Sequence, residues 1–499
     1  MVDVALTGQS RVFTMDGGAR PNTAPKYQEI MRAGALSWPQ GDVTLVRIPS
    51  SSQYGRFKVV GKVTGEEGNP ELPLSSRFLV NERSVLFKLA KQKCDSDFRI
   101  HFGACADPKD PIRGWEKIII LQAGRITDYS TDELGALGSD ESAIVNDTGS
   151  VTGEDAYEVM PITFAEKAGT QVAREVVDIA VCDSAACADC GAPSDGCQKV
   201  LALTKSSDSS PGLVAEIVYS DDGGLTWDDV DINSLGATED PNSLACVGNN
   251  LVVISEESIS LHYAALADIF LGSPTWAEVT SGFVAGGAPR AIIAISSTDI
   301  WIVGAGGYIY YTSDPTSSVT VQDAGVATTQ QLNDISGIDT QNLIAVGASN
   351  AIVVTTNGGE TWQLVIGPSV GVALNAVWMI DERTWWVGTA GGRLYYTVDA
   401  GTTWTEKAFS GSGAGQVYDI KFTTPVVGYM SHATAAPVGR LFRTIDGGFS
   451  WYAFPEKSGF TLPDNDRINA IAVCSDPNVI YGGGLGGAAL DGIIVAGKG

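Results

Sequence analysis

The chain has 499 residues, 44% of them apolar and 18% charged, with 58 glycines. That length holds two or three domains, and the composition suits a soluble, turn-rich, mostly β protein and excludes disorder on a large scale. The formal charge of −26 is uneven: residues 1–165 carry 18 basic and 22 acidic side chains, leaving 14 and 36 for the remainder. So acidic a C-terminal part repels polyanions, which argues against direct nucleic-acid binding.

The N-terminal "MVDVALTGQSRVF" lacks the basic and apolar regions of a signal peptide, and the longest apolar runs, "IIIL" at Ile118 and "AIIAI" at Ala291, are too short to cross a bilayer. The expectation is a chain made in the cytoplasm and not inserted in a membrane. In the first third, strand patterns occur at "VTLVRIP", "RFKVVGKV", "FRIHFGA", "EKIIILQAGRIT" and "YEVMPITF". One helix is predicted over Asn81–Lys93, with Asn81 as N-cap and Val85, Leu86, Leu89 and Ala90 on one face. A polar link runs from Gly61 to Phe78, and an acidic segment, Thr127 to Asp147, connects the last strands. A β-sandwich or half-barrel with one helix accommodates these elements.

From residue 169 the pattern changes. "SDDGGLTW" (Ser220, Asp222, Gly224, Thr226, Trp227) recurs as "TTNGGETW" with Asn357, Gly359 and Trp362, as "TVDAGTTW" with Asp399, Gly401 and Trp404, and as "TIDGGFSW" with Asp446, Gly448 and Trp451. Such a stretch is a hairpin part: Asp or Asn closes an Asx-type turn, Gly supplies positive φ, and Trp leaves the turn as a packing anchor. The last two tryptophan gaps are 42 and 47 residues and the first is 135, room for two worn copies. These are "SPTWAEV" (Ser273 to Val279) and "YTSDPTSSVTV", which keeps Thr312 and Asp314. Seven units open at Val176, Asn242, Pro289, Gln331, Val372, Gln416 and Arg467. A period of about 40 to 50 residues with three or four short strands is that of a β-propeller. The seventh unit runs out of chain, so its outer strand is expected from just before Val176, in "GTQVARE". The overall expectation is an all-β dominated chain: a sandwich or half-barrel over 1–168 and a seven-bladed propeller over 169–499.

Chemistry is sparse. Cys182, Cys187, Cys190 and Cys197 crowd into "CDSAACADCGAPSDGC". Four thiolates could hold zinc, but their spacing is no recognised knuckle, and disulfides or unpaired thiols fit equally. Cys182 and Cys474 share a repeat context, "IAVCD" and "IAVCSD", which makes Cys182 read as an ordinary strand residue. The only histidines, His101, His262 and His432, form no ligand pair and no nucleophile elbow. No catalytic residue, no metal and no cofactor is expected.

Two resemblances rest on these residues. The hairpin resembles the Asp-box of sialidases, sortilin-type receptors and photosystem assembly propellers; across those families the box is structural. The sialidase branch implies an arginine in an Arg-Ile-Pro motif, which Arg47 in "VRIP" matches, but Arg47 lies far ahead of the first box. Arg393 and Arg440 sit in the repeat slots "GGRLYYT" and "VGRLFRT" and read as blade positions.

The first third is similar to the tail-tube (major tail) proteins of long-tailed bacteriophages, through the order and spacing of "GGARP", "SWPQGD", "GEEGNPELPLSSR", "HFGACADP" and "YSTDELGALGSDESA". That likeness implies a virion subunit in homo-oligomeric rings, expected to be hexameric, stacked into a tube with other tail proteins, with DNA only as passing cargo. It also implies an inter-ring loop, here Glu66, Glu67, Asn69 and Glu71. The propeller would then project outward, toward a host-surface glycan. The alternative is a soluble propeller that binds or assembles a partner, and the remaining reading is a sialidase-like glycoside hydrolase.

Overall fold

The computed structural model describes the strands between Ser10 and Glu166 by their backbone, with side chains at 118, 120, 159, 160 and 162, and describes 174–498 except for 183–197, 207–213, 237–238, 435–438, 454–465, 475 and 487–491. The chain divides into two compact units, the second spanning Ile162–Lys498.

In the first unit seven strands form one antiparallel sheet, in the order Tyr27–Ala33, Ser10–Met15, Ser96–Phe102, Lys117–Glu133, Ile144–Thr152, Glu71–Leu79, with Asp155–Val159 also on Lys117–Glu133. Leu45–Ile48 and Lys58–Gly61 make a separate hairpin. The long strand serves three partners: its apolar "KIIIL" half pairs with Ser96–Phe102 and Asp155–Val159, with Ile118 and Ile120 buried beside Val159, while its polar half pairs with Ile144–Thr152.

Two sequence expectations change here. Part of the supposed link, Glu71–Leu79, is a strand with Glu71 opposite Thr152, because "LPLSSRFL" alternates enough to be paired. The acidic segment is also largely strand, with Thr131 opposite Asp147 and Glu133 opposite Val145. Glu66, Glu67, Asn69 and the helix expected over Asn81–Lys93 lie outside the described residues.

The second unit is a β-propeller of seven four-stranded antiparallel sheets. The first strands are Val176–Val181, Pro241–Val247, Pro289–Ala294, Leu332–Gly337, Leu374–Met379, Gln416–Phe422 and Arg467–Val473. Each touches the first strand of the next blade, and the seventh touches the first, so these strands surround the axis as a closed ring. Second strands such as Ile300–Gly304 and Leu343–Gly347 are buried at every position, whereas fourth strands such as Asp228–Asp231 are mostly exposed. The apolar clusters therefore lie between blades. One joins Leu201, Ile217 and Tyr219 of blade 1 to Leu251, Val253 and Leu266 of blade 2. Another joins Trp386 and Tyr396 of blade 5 to Phe422, Met430 and Trp451 of blade 6. A blade alone would leave both faces wet, which is why the blades need the ring.

The ring closes through Thr163–Glu166, which pairs antiparallel with Gly492–Lys498, Thr163 opposite Lys498 and Glu166 opposite Val495. This corrects the assignment of the outer strand to "GTQVARE". A fourth strand lies three strand spacings, about 14 Å, from the axis side of its sheet, and "GTQVARE" ends directly before Val176, the start of the axial first strand of blade 1, too close in sequence to serve as that outer strand.

Candidate functional site

The four complete Asp boxes join third to fourth strands, at the end of the ring opposite the starts of the first strands. Ser220 Oγ donates to Asp222 Oδ1 at 2.8 Å and accepts the Gly224 N–H at 2.8 Å, while Asp222 accepts the Thr226 N–H at 2.9 Å and its hydroxyl at 2.6 Å. The pattern repeats for Thr355 with Gly359 (2.9 Å) and Asn357 with Thr361 (3.1 Å), for Thr397 with Gly401 (3.0 Å) and Asp399 with Thr403 (2.8 Å), and for Thr444 with Gly448 (2.8 Å) and Asp446 with Ser450 (2.8 Å). Burial by itself would raise the Asp222 pKa, but the bonds from Thr226, Ser220 and Leu225 outweigh it and hold the carboxyl down at about 2. Trp227, Trp362 and Trp451 are buried, and Trp404 Nε1 donates to Ile366 O of the preceding blade at 2.9 Å. The Ser or Thr and Asp or Asn side chains of each box bond within their own turn, which is how these residues build the hairpins of the blades.

The worn copies are repaired by other means. In blade 2 a short helix, Leu266–Phe270, takes the place of the turn, and Trp276 packs against the core between blades 1 and 2. In blade 3, Thr312 and Asp314 keep part of the turn, and Gln322 Oε1 accepts Trp301 Nε1 at 3.0 Å while its amide donates to Gly358 O of blade 4 at 2.9 Å.

The other end of the ring is built by a bulge near the start of every first strand, which leaves one extra residue unpaired: Val177, Asn242, Arg290, Asn333, Asn375, Tyr418 and Asn469. All seven are half-buried and six are polar. Asn333 Nδ2 donates to Leu374 O at 2.9 Å, Asn469 Nδ2 to Val176 O at 2.8 Å, and Asn375 Nδ2 to Gln416 Oε1 at 3.3 Å, each reaching the next blade. Arg290 pairs with Glu256 at 2.8 Å, and Glu256 also accepts Asn242 Nδ2 at 3.4 Å. Across the closing seam Glu175 binds Arg467 and Asn469 (2.9 Å), and within blade 1 it binds Lys205 (3.2 Å). The result is a polar mouth to the axis. Its signal is the recurrent residue before "DI" or "AI" in "VVDI", "LNDI", "VYDI" and "INAI", which the period alone does not single out.

One residue deeper, Asp178, Asp334 and Asp419 occupy the same position in blades 1, 4 and 6. Each accepts the N–H of the following residue, from Ile179 and Ile335 at 2.8 Å and from Ile420 at 2.7 Å. The other carboxylate oxygen accepts a backbone N–H of the next blade: Leu244 at 2.9 Å, Val377 at 2.7 Å and Ile471 at 2.8 Å. Ser243 also donates its hydroxyl to Asp178 at 2.6 Å. Lys421 Nζ lies 3.1 Å from Asp419 and 5.6 Å from the Trp378 ring centre. Burial pushes Asp334 up to about 7, partly offset by Lys421, and raises Asp178 as well. For Lys421, burial works to lower the pKa, but Asp419, Asp334 and Asp178 outweigh it and the net shift is upward. Lys421 lies on the first strand of blade 6, one of the strands that surround the axis. Its side chain keeps 30% of its surface, so the cluster borders water and its charges are partly screened.

The described histidines and arginines are engaged within the propeller. His262 is fully buried with ring nitrogens 2.8 Å from the Ser260 and Ser234 hydroxyls, and His432 Nε2 donates to Ala414 O at 2.7 Å. Burial lowers both imidazole pKa values, and neither ring is hydrogen-bonded to a carboxylate. The arginines are separately engaged: Arg174 with Glu216 (2.7 Å), Arg393 with Glu406 (2.9 Å), and Arg443 with Pro477 O (2.9 Å). Cys182 is disulfide-bonded to Cys246, with Cα atoms 5.8 Å apart, and ties blade 1 to blade 2. It is thus neither an ordinary strand residue nor free to join a four-thiolate site; Cys187, Cys190 and Cys197 lie outside the described residues. Among the described residues no group of three His, Cys, Asp or Glu could hold a metal ion.

Residues 315–478 match the family model of the photosystem II assembly factor YCF48. No curated protein matches the chain. Among solved structures, YCF48 from Cyanidioschyzon merolae superposes with a TM-score of 0.50 at 14% identity, over 67% of this chain and 98% of that one. A catalytically inactive virginiamycin B lyase from Staphylococcus aureus, with quinupristin, does so with 0.50 at 13% identity, over 68% and 99%. At such identities the structures speak for the fold, and the family match lies wholly within the second unit. The C-terminal unit is a seven-bladed β-propeller of the BNR type, similar to YCF48 over residues 315–478.

Proposed function

We propose that the propeller is a non-catalytic module that holds a segment of a protein partner at the mouth of its axis, as an assembly factor does. The observation that carries this reading is the ring of half-buried polar side chains at the bulges, Asn242, Arg290, Asn333, Asn375, Tyr418 and Asn469. Amides, a guanidinium and a phenol at fixed spacing suit the donors and acceptors of a peptide backbone. The YCF48 match over 315–478 supports the same reading, and it favours the partner-binding alternative over the tail-tube role. Photo-crosslinking residues placed at Asn375 and Tyr418 are expected to capture partner peptides, and Arg290→Ala to weaken capture. Crosslinks arising only from a control position at the opposite end, Leu225, would refute the mouth as the site.

A second reading concerns the first unit. Among the described residues its sheet ends in Tyr27–Ala33 and Glu71–Leu79, each paired on one side. Ring formation by sheet addition, as in tail tubes, requires two such edges. Electron microscopy of the full chain at high concentration tests this: stacked rings support a tube subunit within a virion, and dispersed particles leave the partner-binding propeller.

A further inference from the structure

A fourth strand ends its blade's sheet and pairs on one side only, and such an edge accepts a foreign strand unless charge or a covering element prevents it. The positions two and four residues after each box tryptophan lie on one face of that edge. They hold Asp229 and Asp231 in blade 1 and Glu406 and Ala408 in blade 5, and the first of them is Ala453 in blade 6. In blade 4 they hold Leu364 and Ile366, 60% and 86% exposed. Leu364 lies opposite Val353, which is buried with Trp362 in the cluster between blades 3 and 4. Trp362, Leu364 and Ile366 therefore alternate along the face toward blade 3 and carry that core out into water. Of the seven fourth strands, only Gln363–Ile366 and the two-residue Tyr452–Ala453 carry no charge. The turn does not require large apolar side chains here, since the other boxes close without them, and an exposed apolar edge of this kind marks an interaction site. Its surroundings are acidic. Between Arg290 and Arg383 the sequence has eight Asp and Glu and no Lys, Arg or His, and Asp314 and Glu360, in the turns of blades 3 and 4, are exposed.

We infer that the outer edge of blade 4 is a docking surface separate from the mouth, where an extended segment of a protein partner adds a strand to Gln363–Ile366. The segment places apolar side chains on Leu364 and Ile366 and lysine or arginine toward the acidic flank. Main-chain hydrogen bonds hold such a strand, and its alternate side chains select it. Trp404 Nε1 already donates to Ile366 O, which leaves the new ladder to Gln363, Leu364 and Val365. Charge decides the occupant: a second copy of this chain would bring the same cation-free sector against itself, whereas a basic segment meets opposite charge.

The test uses the full chain and two capped peptides, one alternating valine with lysine and the other valine with glutamate, with binding read by fluorescence anisotropy and mapped by hydrogen exchange. Expected is protection of the amides of Gln363–Ile366 by the lysine peptide alone. Leu364→Asp with Ile366→Asp gives blade 4 the residues that blade 1 carries at these positions, so the blade should fold with its unfolding midpoint unchanged. That variant should bind the lysine peptide about tenfold more weakly, although it adds two negative charges. Equal or tighter binding by the variant, or protection confined to other parts of the chain, would reveal simple attraction to an acidic surface and overturn the proposal. Equal binding of the glutamate peptide would overturn it too, as would a wild-type dimer in sedimentation that the variant abolishes, since the occupant would then be a second copy. The wild-type exchange map decides between this edge and the rest of the surface even if the variant fails to fold.

Discussion

At Gly448 the backbone has φ of +90°, and a Cβ added there would lie 2.1 Å from Trp386 of the preceding blade. Gly448→Ala should cost about 3 kcal/mol, the sum of overpacking against a ring that cannot yield and the left-handed penalty. Gly413, with φ of +85° and nothing within 4 Å, supplies the control: Gly413→Ala should cost about 1 kcal/mol. Denaturant midpoints at constant slope separate the two. The Asp222 carboxyl is held down at about 2 by its turn. Its contribution is present above the ordinary carboxylate range and lost as pH falls through about 2, so Asp222→Asn should flatten the acid limb of the stability curve. The two kinds of aspartate differed in legibility for the same reason. Asp222 bonds residues two to four positions away, and a repeated local spacing displays that. Asp178, Asp334 and Asp419 bond the next blade, some 43 to 66 residues on, and no local pattern shows which residues meet at an axis.

Elements were legible where a period or an alternation marked them. The seven blades follow from the Asp boxes and the worn copies between them, because each box fixes one hairpin and the hairpin fixes its strands. In the first unit no repeat constrained the reading, and "ELPLSSRFL" passed for a link because two serines and a proline mask the alternation that pairs it with Ile144–Thr152. The Cys182–Cys246 bond was equally hidden, since Cys246 stands alone in "NSLACV" while three nearer cysteines compete for Cys182. It closes a loop with a sequence separation of 64, which on chain-entropy grounds stabilises by about 4 kcal/mol. Reduction, or Cys182→Ala with Cys246→Ala, should lower the unfolding midpoint accordingly. Alkylation mapping after mild reduction should report blades 1 and 2 opening first. An unchanged midpoint under full reduction would show that the loop is already restrained by strand pairing.

For the whole molecule the critical seam is between blades 7 and 1, the one place where the ring joins residues from opposite ends of its own sequence. Three devices hold it. Thr163–Glu166 completes the seventh sheet; Glu175 gathers Arg467 and Asn469; and Tyr481 OH donates to Gly223 O at 3.1 Å. The apolar cluster between these blades, with Val176, Trp227, Tyr481 and Ile494, is sealed only while the seam is shut. Replacing Thr163–Glu166 with a Gly-Ser segment of equal length removes the ladder, about 1 kcal/mol for each hydrogen bond, and leaves Gly492–Lys498 as an open, apolar edge. Hydrogen exchange should then accelerate first in blades 7 and 1 and spread in both directions, with aggregation above the new midpoint. Because the closing strand is Thr163–Glu166, a chain starting at Ile162 keeps it and should unfold with the midpoint of the propeller in the full protein. A chain starting at 168 should behave like the Gly-Ser variant. Equal midpoints for the two truncations would mean that the ion cluster and the tyrosine suffice, and that the fourth strand of blade 7 covers an edge without closing the ring.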